Sequence, residues 1–237
     1  MTDTGGPGRT ASPTVGVVIP AAGLGKRMGG VKKLFLALGG VPVLLLSVRA
    51  FLDRSDISVV VVALAPDDMD DPPEWLRDVD PRVRLVTGGA TRTDSVRAGL
   101  AALPAQVTIV VVHDGARPLV TGGIIDRCIA KALQGRGAVA GWPAVDTMKE
   151  VDHEGRVLGT PDRSRLWHAQ TPQAFPRHMI ATAYASADLV TEATDDATLV
   201  ERVGGAIVMV EGHPWNIKVT RPQDVGIAEL ILNMRSS

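Results

Sequence analysis

The sequence predicts an α/β protein with a single Rossmann-like, mostly parallel sheet, helices on both faces and a protruding β-hairpin arm. Three observations predict it. Short apolar runs rich in β-branched residues alternate with helix-period segments from Val15 to Trp142. Three of those runs end in loops carrying glycines, hydroxyls or charges, where a parallel sheet of this kind binds its ligand. The alternation then breaks after Val145, where two short strand-like pieces flank Asp152-His153-Glu154-Gly155.

The elements follow in order. Val15–Ile19 is a buried strand, and Pro42–Arg54 a helix with proline in its first turn. Ser58–Leu64 is apolar throughout and reads as a strand covered on both faces. Asp67–Asp80 suits a short helix or a surface loop. Val83–Val86 is a strand leading to Gly88-Gly89, and Arg92–Leu103 a helix. Val107–Val112 is a strand ending at His113-Asp114-Gly115, followed by helix Gly122–Leu133 and strand Ala138–Trp142. Met148–Glu150 and Arg156–Leu158 form the hairpin. The chain returns through Leu166–Gln170 to helix Arg177–Asp188. Helix Asp195–Val203 has Thr194 as N-cap candidate. Ala206–Val210 and Asn216–Val219 read as final strands, and Asp224–Met234 as the closing helix. Residues 1–14 lack the apolar core of a signal peptide and read as a disordered tail before one domain over 15–237.

Bulk properties exclude several classes. At 237 residues and 45 % hydrophobic, the chain can bury a large core. A net charge of −1 offers no global field for nucleic acid or an anionic membrane, so any anion site is local. No apolar run approaches the roughly 20 residues of a membrane span. Cys128 is the only cysteine, which forbids an intrachain disulfide and fits a reducing cytoplasm.

The chemistry concentrates at strand ends. The loop after the first strand holds Gly23, Gly25, Gly29 and Gly30 with Lys26, Arg27, Lys32 and Lys33. Open backbone N–H groups and nearby cations suit a polyphosphate. The dinucleotide fingerprint fails at Met28, and no Gly-Lys-Ser/Thr follows. Asp114 closes another strand at the ligand edge. It is a natural Mg²⁺ ligand there, or else caps the next turn or pairs with Arg117. His113 reads as packed and hydrogen-bonded, Cys128 as core. Thr87–Ser95 reads either as a base-edge site or as a plain helix cap. Lys218 in a strand would face either an anion or solvent. No nucleophile–base pair with an orienting acid is evident. That suits a reaction in which an already ionised phosphate attacks a nucleotide α-phosphorus.

The motifs Pro20–Met28, Gly88–Val96, Val112–Pro118, Asp146–Lys149, Gln170–Gln173, Thr194–Ala197 and Asn216–Thr220 occur in that order. From residue 15 on, the chain resembles the 2-C-methyl-D-erythritol 4-phosphate cytidylyltransferase family. The resemblance implies transfer of the cytidylyl group of CTP to methylerythritol phosphate, with Mg²⁺. It implies Arg27 and Lys33 at the phosphorus and leaving pyrophosphate. Ala21, Ala22, Gly23, Gly25, Gly89, Ala90, Ser95 and Gly115 would lie around the nucleotide, and Asp114 would bind the metal. Arg117, Thr171, Thr194 and Lys218 would face the second substrate, with Lys218 also catalytic. It implies a homodimer whose arm, residues 146–163, carries Thr147 and Arg163 into the neighbouring site, with Arg163 also catalytic there. Gly115 stands where the family usually has alanine, and Lys32 where it usually has proline, so the register of Lys33 rests on Leu34-Phe35-Leu36. A ribitol-phosphate cytidylyltransferase, a molybdenum-cofactor guanylyltransferase and a catalytically inactive nucleotide-binding regulator are the competing readings.

Overall fold

The computed structural model describes residues 13–23, 32–186 and 193–236. In chain order the strands are β1 Val15–Pro20, β2 Ala37–Leu38, β3 Val41–Pro42, β4 Ile57–Leu64, β5 Val83–Thr87, β6 Ile109–Val112, β7 Gly137–Pro143, β8 Glu150–Val151, β9 Val157–Gly159, β10 Trp167–Pro176 and β11 Ile207–Glu211. The helices are α1 Val43–Leu52, α2 Pro66–Asp70, α3 Glu74–Arg77, α4 Arg92–Ala102, α5 Gly122–Leu133, α6 Arg177–Ser186, α7 Asp196–Arg202 and α8 Pro222–Ser236.

Seven strands form one sheet in the order β11-β7-β10-β6-β1-β4-β5. All neighbours run parallel except β10, which is antiparallel to both β6 and β7. The mostly parallel α/β sheet expected from the sequence is therefore present. Its alternation divides the core. Val17 and Ile19 of β1 pack with α1 and α5 residues such as Phe51 and Ile125. Val18, between them, packs on the other face with Val96 of α4 and with Ile180 of α6. Each face of the central strands is covered, which is why β4 and β6 are apolar at nearly every position.

The connections decide where a ligand fits. From β1 the chain passes through α1 to β4 and on to β5 at the edge. α4 then carries it back past β1 to β6. The loops after β1 and β6 thus leave neighbouring strands in opposite directions and open a crevice at their carboxyl ends.

Two sequence expectations are corrected. Asn216–Val219 is irregular, not a strand. Its backbone is taken by single side bonds, Arg117 Nη1 to the Asn216 carbonyl at 2.7 Å and Val219 N–H to the Ala116 carbonyl at 2.8 Å, so no ladder forms. The N-cap of α7 is Asp195, whose carboxylate accepts from Thr198 N–H at 2.9 Å, and not Thr194. The hairpin is present as β8 and β9, turning at Gly155 with φ 82°. Its Val151, Val157 and Leu158 are exposed.

Gly99 of α4 lies against β1, and an added Cβ would stand 2.4 Å from Val18 Cγ1. Val18 is fully buried and has nowhere to go. Gly99→Ala is therefore expected to lower the unfolding free energy by about 1–3 kcal/mol, despite alanine's better helix propensity. Urea denaturation reads this directly, and an unshifted midpoint would refute the close approach.

Candidate active site

The crevice holds two adjoining cavities of about 180 and 210 Å³. One is lined by Pro20, Gly23, Ser95 and Gly115. The other is lined by Arg117, Thr171, Gln173 and Thr194. Arg92, Asp114 and Lys218 line both and stand at their boundary.

The first lobe is shaped by the turn from β5 into α4. Thr91 caps α4 and Asp94 returns the bond to the Thr91 N–H, a reciprocal box that fixes the turn. Ser95 Oγ, buried, accepts from Gly89 N–H at 3.2 Å and donates to the Thr91 carbonyl at 3.0 Å. The turn closes so tightly that a Cβ on Gly88 would meet Ala22 Cβ at 2.5 Å, and one on Gly89 would meet Asp94 Cβ at 2.3 Å. Glycine is required at both positions by space.

The boundary is a charge cluster. Asp114 receives Arg92 Nε at 3.0 Å and Lys218 Nζ at 2.7 Å, with Arg117 Nε at 3.8 Å. Burial alone would raise the Asp114 carboxyl. The charges of Arg92, Lys218 and Arg117 outweigh it and hold the group well below the usual carboxylate range. Arg92 also donates to Asp196, which is wholly buried, at 2.8 Å. Burial lowers Arg117, only partly offset by Asp114. Its Nε–H is buried without a hydrogen-bond partner.

Behind the cluster, His113 is wholly buried. Its Nε2 lies 3.1 Å from the Arg117 carbonyl and its Nδ1 3.1 Å from Thr171 Oγ1. A carbonyl only accepts, so Nε2 carries the proton and bare Nδ1 accepts from the threonine hydroxyl. Thr171 Oγ1 in turn accepts Asp114 N–H at 3.0 Å. The imidazole thus ties the backbone on either side of the cluster to β10. Burial, chiefly, pushes its pKa down to about 4.

The second lobe depends on an irregularity of β10. Against β7 its pairing shifts between Ala169 and Gln173. Gln170 turns to the loop after β11, with Nε2 donating to the His213 carbonyl at 2.9 Å and Oε1 accepting from Asn216 Nδ2 at 3.2 Å. Asn216 also donates to the Thr171 carbonyl at 2.9 Å. This clamp delivers Lys218 to Asp114.

Of the residues expected from sequence, Gly23, Ser95, Asp114, Gly115, Arg117, Thr171, Thr194 and Lys218 line the crevice. The Thr171 side chain is buried and its hydroxyl is spent on His113 and Asp114. Ala21 and Ala22 are buried beside the first lobe, and Gly89 and Ala90 form the α4 turn. Thr147 and Arg163 are exposed and lie outside both cavities, with Arg163 Nη1 donating to the Val145 carbonyl at 2.6 Å. Gly25 and Arg27 lie outside the described residues. Lys33 opens a 3-10 turn over Lys33–Phe35. Lys32 pairs with Asp68 of α2. Sequence reasoning misses Arg92 and Asp196. A wholly buried aspartate beside a helix cap carries no local signature, and in the sequence Arg92 is only the first residue of a helix. Among the described residues no three His, Cys, Asp or Glu side chains cluster as a metal cage.

The family model for 2-C-methyl-D-erythritol 4-phosphate cytidylyltransferase matches residues 15–234. The protein of that name from Frankia casuarinae is 43 % identical over 224 residues, covering 94 % of this chain and 82 % of the relative. That from Prochlorococcus marinus is 40 % identical over 223 residues, covering 93 % and 99 %. The crystal structure of the Thermus thermophilus enzyme superposes with a TM-score of 0.77 at 35 % identity, covering 92 % of this chain and 98 % of that one.

The His113 geometry has a pH signature. The unfolded chain takes a proton on this histidine near its ordinary 6.5, while the folded chain resists until about 4. Its contribution to stability is whole above pH 6.5 and is lost as pH falls through that window, by about 3 kcal/mol. Asp114, held below its ordinary 3.8, acts in a separate, more acid range. His113→Gln is expected to flatten the stability–pH curve between the two values, measured by denaturant unfolding at a series of pH values. Parallel wild-type and variant curves would rule this out.

Proposed function

Since the chain belongs to the 2-C-methyl-D-erythritol 4-phosphate cytidylyltransferase family, we propose that its crevice transfers the cytidylyl group of CTP to 2-C-methyl-D-erythritol 4-phosphate. The products are 4-diphosphocytidyl-2-C-methyl-D-erythritol and pyrophosphate. The observation that carries the reading is the boundary cluster. Arg92, Arg117 and Lys218 surround one carboxylate where two lobes meet, and Arg117 retains an unspent N–H. A site that joins two phosphorylated molecules needs cations at the junction rather than a protein nucleophile.

In this reading the nucleotide takes the lobe of Gly23, Gly89, Ala90, Ser95 and Gly115, and the polyol phosphate takes that of Arg117, Thr194 and Lys218. A phosphate monoester oxygen forms the new bond to the α-phosphorus of CTP as the bond to pyrophosphate breaks. Lys218 and Arg117 hold the attacking phosphate in line. Arg27 and Lys33 are assigned to the developing charge on the phosphorus and leaving group. The pairing of Lys32 with Asp68 supports Lys33, since the Lys32 charge is already engaged.

Mg²⁺ is assigned to the Asp114 carboxylate, whose oxygens face Arg92 and Lys218, so the ion would take the place of one of these cations on it. Asp114 stays ionised and lines both lobes, and Mg²⁺ is commonly held by one or two carboxylates plus substrate phosphates. Bound there, the ion would neutralise charge on the triphosphate oxygens. The arm over 146–163 is assigned to a homodimer, supported by its exposed Val151, Val157 and Leu158. Thr147 and Arg163 would then complete the partner's second lobe. We assign the protein to the cytoplasm, in keeping with its lone, buried cysteine. No helix among the described residues is long and apolar enough to cross a membrane.

Pyrophosphate release is expected only with CTP, Mg²⁺ and methylerythritol phosphate together, and release with ribitol phosphate instead would overturn the substrate. Lys218→Ala is expected to lower kcat/KM about 100-fold with the fold retained. Mixing Lys218→Ala with Arg163→Ala protomers should recover activity that neither parent shows, because one site of the mixed dimer has both residues. No recovery would argue against a shared site.

A further inference from the structure

Arg92 is shared by two carboxylates. Its Nε faces Asp114 at 3.0 Å and its Nη2 faces Asp196 at 2.8 Å. The Arg92 side chain is 28 % exposed and lines both lobes of the crevice. Asp114 is contacted by two further cations, but Asp196 has a different companion. Its Oδ1 accepts the hydroxyl of Tyr184 on α6, at 2.5 Å. Tyr184 lies on the far side of Asp196 from Arg92 and lines no wall of either lobe. The residue is 6 % exposed, with Arg97 of α4 over its ring at 5.8 Å, and it lines a separate cavity between α4 and α6. Burial and the Asp196 charge push the phenol far up from its ordinary value, so it remains a donor.

We propose that Tyr184 is a positioning residue for the transfer reaction: its hydroxyl pins the buried Asp196 carboxylate, and Asp196 sets where Arg92 stands between the two lobes. The reason is competition for one guanidinium. Asp196 is wholly buried, so no water replaces a lost partner. Without the phenol, the charge of Asp196 is answered by Arg92 alone. The guanidinium is drawn back toward α7, away from Asp114 and the phosphates. Tyr184 touches no reacting atom and acts only through this chain.

The inference rests on the transfer reaction proposed above, and a double-mutant cycle separates the two. Phenylalanine keeps the ring in the core and removes only the donor. Tyr184→Phe is expected to lower kcat/KM about tenfold, chiefly through higher KM for both CTP and the polyol phosphate, with the thermal transition retained. In an Arg92→Lys background the same change is expected to cost less than about twofold. Asp196→Asn should match Tyr184→Phe in size and be non-additive with it. An equal loss in both backgrounds, no loss in the wild-type background, or loss of the cooperative thermal transition in Tyr184→Phe would each overturn the proposal. Wild-type pyrophosphate release is the control. Its absence defeats the transfer reading and this inference together, whereas release with an additive cycle defeats this inference alone.

Discussion

One buried carboxylate organises the crevice. Asp114 is 7 % exposed and its oxygens are held by Arg92 and Lys218, with Arg117 close by. Taking these charges out of water is costly, and a well-packed apolar core would often be as stable. The cluster is held by constraint from behind: His113 and Thr171 fix the Asp114 backbone, and Asp196 fixes Arg92. Within the ion-paired cluster three cations stand against two carboxylates, and the Asp195 carboxylate is a further anion on the wall of the second lobe.

The sheet topology explains why these groups converge though they come from distant parts of the chain. β1 and β6 supply the floor, because the connection reverses between them. β10 inserts antiparallel between β6 and β7 and shifts register where Gln170 and Thr171 are needed. Those two residues leave the ladder and hold the segment carrying Lys218. Gly212 allows this, since a Cβ there would meet Gln170 Oε1 at 2.3 Å.

What the sequence made legible follows the same physics. β1, β4 and β6 are covered on both faces, so their apolar runs stand out, and their ends mark the crevice. The hairpin was visible because its turn needs glycine at positive φ. Asn216–Val219 reads as a strand from its extended pattern, but that backbone is satisfied by Arg117 and Ala116, contacts that only tertiary structure creates. Thr194 and Asp195 are both good caps, and the choice was made by the fold: Gln173 Nε2 orients Asp195 at 2.8 Å. Arg92 and Asp196 are 104 positions apart, and no local rule pairs them.

The glycine-rich loop after β1 has its far end tied down by a separate device. Lys32 reaches Asp68 of α2 and lies over Phe35 at 5.9 Å, and Phe35 meets Trp75 of α3 edge-on at 5.6 Å. With the Lys32 side chain 46 % exposed, the ion pair alone is worth little. Its value is geometric, because it ties Lys32, ahead of the Lys33–Phe35 turn, to α2. Of the two adjacent lysines, the first spends its charge on Asp68 of α2, and the second begins the 3-10 turn over Lys33–Phe35.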